Sequence, residues 1–149
     1  MDTIDNSIHK INGVLKDVGV FDFLEQSSEI YCGGSLPMLA LSKKSTLDEL
    51  LTIINDIDIY TNNISKTMRG INKNLYSEIN NIESKGINVN FSIGDGKVPV
   101  QLITSSFDDF TTDVLAEYDC DLVSVGYHPY SGEFIITDKF RKGLEDKMF

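Results

Sequence analysis

The sequence predicts an α+β domain, close to α/β in character, with a mixed sheet of about five strands flanked by helices. Three observations predict it. Short apolar runs at 29–32, 57–60, 88–93, 98–104, 120–127 and 133–137 alternate with segments whose apolar residues recur at intervals of three and four. The 149 residues contain no internal repeat, low-complexity tract or Pro/Gly-rich linker, so one domain is expected over 1–149. A composition 41% hydrophobic, with eight Phe and six Tyr, supplies a core.

Within that domain the reading is N-terminal helices over 1–27, a core over 28–138 and a closing helix over 138–147. Ile4, Ile8, Ile11, Leu15 and Val18 have helical spacing, which predicts an amphipathic helix over 3–19. A short helix over Val20 to Gln26 precedes the strand Glu29 to Cys32. Ser35 can cap a helix running to Leu41, with Pro37 in its first turn, and Ser45-Thr46-Leu47-Asp48-Glu49 opens another. After the strand Ile57 to Tyr60, the apolar stripe Ile64, Met68, Ile71, Leu75, Ile79 and Ile82 predicts one long helix. Asn88–Ile93 and Val98–Thr104 flank Gly-Asp-Gly-Lys, a hairpin signal, and Pro99 makes the second strand an edge or delays its start. Helix Phe107 to Glu117, strand Cys120 to Tyr127 and strand Glu133 to Thr137 complete the order.

The formal net charge is −10, which disfavours general binding to nucleic acid. Acidity is segregated: residues 98–138 carry eight acids and no Lys or Arg. Two cysteines, Cys32 and Cys120, are too few for a disulfide scaffold, and the chain starts without an apolar leader. No apolar run approaches the roughly 20 residues of a membrane span. A cytoplasmic location, without a membrane partner, is expected.

Two motifs carry chemistry. In Asp56-Ile57-Asp58-Ile59 the carboxylates are two residues apart, so a strand aims both to one side and both isoleucines to the other. Like charges so placed are tolerated when a cation lies between them, and hard oxygen donors suit Mg²⁺ or Mn²⁺. Gly33-Gly34-Ser35 follows a strand and opens a helix, a context in which backbone N–H groups can approach a phosphate. A plain tight turn and a solvent-exposed strand end are the alternative readings. Lys66 and Arg69 share a helix face and are candidates to neutralise a phosphate chain, or else belong to a solvated surface.

The combination strand–GGS–helix followed by DIDI resembles the nucleotidyltransferase fold of the DNA polymerase β superfamily. Within it, the stretches VQLI (100–103) and YDCDLVSVGY (118–127) are similar to those of small phage and giant-virus nucleotidyltransferase-like proteins. The resemblance implies a mixed sheet with helices around it. It also implies binding of a nucleoside triphosphate with metal ions, and transfer of a nucleoside monophosphate to an acceptor in a protein or nucleic acid. Carried over, Gly33, Gly34 and Ser35 would hold the triphosphate, while Asp56 and Asp58 would bind Mg²⁺ or Mn²⁺. Active members place a carboxylate on a third strand, to bind metal and help deprotonate the acceptor, where this chain has Gln101; Asp119 or Asp121 would have to substitute as the catalytic carboxylate. A viral member would work in the host cytoplasm. Two functions follow: a metal-dependent nucleotidyltransferase, or a nucleotidyltransferase-like binding module without turnover. In one form of the second, the acidic surface mimics nucleic acid toward a basic protein.

Overall fold

The computed structural model describes all residues except 76–78, 86–87, 95–97, 105–106, 108, 119 and 148–149. Helix α1 (Ile4–Val18) starts where the Thr3 hydroxyl accepts from the Asn6 N–H and stops at Gly19, whose φ of 97° ends the helix in the left-handed region. Short α2 (Phe21–Leu24) leads to β1 (Ile30–Gly33), α3 (Ser35–Ala40), α4 (Leu47–Ile53) and β2 (Ile57–Thr61). Then come α5 (Ile64–Leu75), β3 (Ile79–Lys85), β4 (Asn88–Ile93) and β5 (Val100–Thr104). The chain closes with α6 (Phe110–Asp113), β6 (Val125–His128), β7 (Glu133–Ile136) and α7 (Asp138–Lys147). Among the described residues no helix is long and apolar enough to cross a membrane.

Among the described residues the strands form one seven-stranded sheet in the order β3-β4-β5-β2-β1-β6-β7, mixed as expected but larger than about five strands. β2 and β5 are parallel and the other neighbouring pairs antiparallel. Alternation gives the sheet two unlike faces. Ile30, Cys32, Ile57, Ile59, Phe91, Val100, Leu102 and Tyr127 are buried beneath Ile11, Val14, Leu15, Leu24, Leu36, Leu50 and Ile71 of the helices. The Cys32 thiol is pushed up to about 12 by that burial, which makes it a core residue and no nucleophile. The opposite face carries Tyr31, Asp58, Tyr60 and Gln101. Part of it is covered by Phe107, Phe110, Val114 and Leu115, with the Tyr31 ring stacked 4.4 Å from Phe110 and 4.6 Å from His128.

Three expectations need correction. Ile79 and Ile82 belong to β3, not to the helix of the preceding stripe. β3 has one residue more than β4 between Asn80 and Glu83, and that bulge breaks the two-residue alternation by which a strand is recognised. Second, the run from Cys120 is a 3₁₀ turn at Asp121–Val123, and the strand starts only at Val125. The Ser124 hydroxyl donates to the Leu115 carbonyl, and the Ser124 carbonyl accepts from the Thr137 hydroxyl, so side chains occupy groups that a ladder would use. Third, the helix expected over 107–117 is one turn of α6 followed by a 3₁₀ turn at Leu115–Glu117. Pro99 precedes β5, which lies between β4 and β2, so the delayed start is the reading that holds. The Gly-Asp-Gly-Lys turn lies largely outside the described residues, but the two strands it joins pair antiparallel.

One interaction had no sequence signal. Lys10 of α1 is 2% exposed, and its ammonium donates to the carbonyls of Ser42 (2.8 Å) and Ser45 (3.0 Å) and pairs with Asp2 at 2.9 Å. It ties the segment between α3 and α4 to the first helix. Lys10→Met keeps the aliphatic stem but strands these acceptors. We expect a loss of about 1–3 kcal/mol in urea unfolding; an unchanged midpoint would mean that water replaces the ammonium.

Candidate functional site

β1 ends at Gly33 and β2 begins after Asp56; the strands are antiparallel with Gly33 opposite Asp58. Their shared end therefore brings the two glycines against the carboxylates. A Cβ on Gly34 would lie 2.6 Å from Asp58 Oδ2, and one on Gly33 would lie 2.7 Å from Tyr60 Cε2 and 2.9 Å from Tyr118 Oη. Gly34 also has φ 73° and ψ −148°, a conformation that side chains strongly disfavour. Only glycine meets both demands there.

Across the sheet, Asp58 stands beside Gln101 of β5, and Gln101 beside Asn90 of β4. Neighbours in register share a face about 4.8 Å apart, so the three polar side chains form a row. Asp58 Oδ1 and Asn90 Oδ1 are buried without a hydrogen-bond partner. The Asp58 carboxyl is pushed up to about 6, first by burial and then by the negative charge of Asp56, which itself is exposed. An orphaned carboxylate oxygen beside a second carboxylate, with only oxygen donors nearby, fits a hard divalent cation. Among the described residues no group of three or more His, Cys, Asp or Glu side chains is placed to hold a metal. A cation here would depend on the aspartate pair, with the Gln101 amide as neutral neighbour.

Two tyrosines cover the glycines. Tyr60 shares the face of Asp58, and its hydroxyl lies 2.5 Å from that of Tyr118. The Gly34 N–H lies close enough to the Tyr118 hydroxyl to counter part of the rise that burial causes. Burial raises the pKa of both phenols, most strongly that of Tyr60, so both are neutral donors and acceptors at physiological pH. The Tyr118 backbone is fixed from α7, because Lys139 Nζ donates to the carbonyls of Tyr118 and Ala116. Beside the phenols opens a cleft of about 250 Å³ lined by Tyr60, Asp113, Val114, Glu117 and Tyr118.

The other candidates are placed as follows. Gly34, not Ser35, holds the cap position of α3; Ser35 is the first helical residue and is exposed beside the glycines. Lys66 is not over the aspartates. It pairs with Glu29 at 3.2 Å, at the start of β1, whereas the site is at its end. α5 begins after β2 has crossed the sheet away from Asp58, so Arg69, exposed one turn further, is carried away too. Asp121 lies on its 3₁₀ turn with Cβ 3.0 Å from where a Cβ on Gly143 of α7 would stand, so it packs on that helix. Asp119 lies outside the described residues. Tyr60 and Tyr118 were not anticipated. Tyr60 was findable, being two residues beyond Asp58 on one strand; Tyr118 reaches the site through a turn that has no sequence signature.

No protein-family model matches the chain, and a search of curated proteins found no match. Among solved structures the chain is similar to a CCA-adding enzyme in its apo form I, with a TM-score of 0.59 and 13% identity. The match covers 89% of this chain and 34% of the other, so the chain spans about a third of that protein's length. At that identity the likeness bears on architecture: the mixed sheet with its flanking helices is a nucleotidyltransferase-like fold.

Proposed function

We propose that the chain, as a single cytoplasmic domain, binds a nucleoside triphosphate with Mg²⁺ or Mn²⁺ at the shared end of β1 and β2. In this reading it works as a binding module with little or no nucleotidyl transfer. The observation that carries the proposal is the direct contact of Gly34 with Asp58, whose second carboxylate oxygen is buried without a partner. Gly33 and Gly34 let phosphate oxygens approach the backbone, the exposed Ser35 hydroxyl adds a hydrogen bond, and Asp56 and Asp58 hold the cation. When bound, the cation would neutralise the phosphates and orient them. Gln101 is the neighbour of Asp58 on the third strand. Its amide cannot take a proton from an acceptor hydroxyl at neutral pH. That argues against efficient transfer to a protein or nucleic-acid acceptor.

A thermal-shift screen of the four ribonucleoside triphosphates tests this. Melting should rise only when nucleotide and Mg²⁺ or Mn²⁺ are both present, by an amount that grows with the logarithm of nucleotide concentration. No shift with any combination ends the proposal. Gln101→Glu then separates binding from turnover. Restoring a base should raise pyrophosphate release by about 10²-fold or more over wild type. A wild type that already releases pyrophosphate at enzymatic rates would instead favour the transferase, with a base such as Asp119 or Asp121 brought in.

A further inference from the structure

The phosphate cradle of the free protein is already filled by one of its own side chains. Gly34 stands against Asp58, and the Tyr118 hydroxyl stands against its neighbour Gly33, close enough to the Gly34 amide to feel it. That oxygen would lie 2.9 Å from a Cβ on Gly33, so the phenol rests on the first glycine of the pair. It is held from two sides, by the Tyr60 hydroxyl at 2.5 Å and, through its own backbone, by Lys139. We propose that Tyr118 is a displaceable plug, a neutral oxygen in the place of a phosphate oxygen, which the triphosphate must evict to approach the glycines. The inference rests on the nucleotide-binding reading above and adds a cost that each binding event meets.

Charge and space both fit an exchange. A phenol oxygen is a weaker acceptor than a phosphate oxygen, whose charge strengthens each hydrogen bond it receives. The ring has somewhere to go, because the cleft of about 250 Å³ borders Tyr118 itself. Tyr60 lines the same cleft and can follow the motion. Lys139 limits it: the ammonium must release the Ala116 and Tyr118 carbonyls, or stretch with them, before the strap from Phe110 to Tyr118 can lift. The affinity of the protein is then lowered by the fraction of molecules in which the plug is out.

Tyr118→Phe and Lys139→Met test the idea through the hydroxyl of the plug and through its backbone tether, with titration calorimetry against Mg²⁺–ATP and Mg²⁺–tripolyphosphate. Tyr118→Phe keeps the ring but removes the oxygen that stands on Gly33. It should bind both probes about three- to tenfold tighter, a range set by one net hydrogen bond. The free variant should melt lower than wild type, since the Tyr60 hydroxyl loses its partner, while its ligand-induced shift grows. Lys139→Met should tighten binding in the same direction by a smaller factor. Tripolyphosphate must share the gain, because the plug blocks phosphate and not base. If wild type binds but Tyr118→Phe binds equally or more weakly, the plug is overturned and the nucleotide reading survives. If neither protein binds either probe, both are overturned.

Discussion

Asp56→Asn/Asp58→Asn should remain folded at neutral pH, melt at or above the wild-type temperature, and lose every response to nucleotide with Mg²⁺ or Mn²⁺. The expectation follows from the direction in which Asp58 is perturbed. Most native carboxylates are held below their ordinary range by partners; Asp58 is pushed up to about 6 by burial and by Asp56. Its folded form therefore binds a proton more readily than the unfolded chain, whose carboxyl titrates near 4. That contribution is complete below about pH 4 and is lost as pH rises through about 6. Wild type should weaken across this window, and the Asn variant should not, so their melting temperatures converge at low pH and separate above pH 6. A bound cation reverses the balance by favouring the ionised form. In saturating nucleotide and metal, wild type should be the more stable protein at neutral pH. A variant that melts well below wild type, with wild type itself indifferent to metal, would leave the pair as scaffold.

How much of this was visible in the sequence depends on the range of each interaction. The Asp pair and the glycines were legible because they are defined by neighbours along the chain: a period of two on β2 and a turn after β1. Their meeting was inferable only from the resemblance, since α3 and α4 separate them. Periodicity failed where the backbone departs from regular form. The bulge in β3 hid a strand behind helical spacing, and the turn at Asp121–Val123 sat inside an apolar run that reads as extended. Lys66 and Arg69 were misplaced for a geometric reason. Short sequence distance from Asp58 suggests nearness, but β2 carries the chain along the strand to its far end before α5 begins. Tyr118 and Lys139 act through backbone carbonyls and a hydroxyl, and no spacing rule reports such contacts.

Gly34→Ala should be the most damaging single methyl in the site, lowering stability and abolishing nucleotide binding together. Two costs add. The backbone at φ 73° and ψ −148° is strained for any side chain, worth about 1–3 kcal/mol. For a chain of this size that lowers the melting temperature by roughly 2–10 °C. The new Cβ also stands 2.6 Å from Asp58 Oδ2, so the carboxylate must move. Gly132→Ala separates the two terms: its φ is also positive, at 70°, but a Cβ there meets nothing within 4 Å. It should lose stability through backbone strain while keeping the full nucleotide shift. The part of the damage at Gly34 that belongs to the carboxylate is read by a double-mutant cycle. With Asp58 replaced by Ala, the added methyl has room, so Gly34→Ala should cost clearly less in that background than in wild type. Equal cost in both backgrounds would mean that strain alone makes Gly34 necessary, and that its closeness to Asp58 has no energetic consequence.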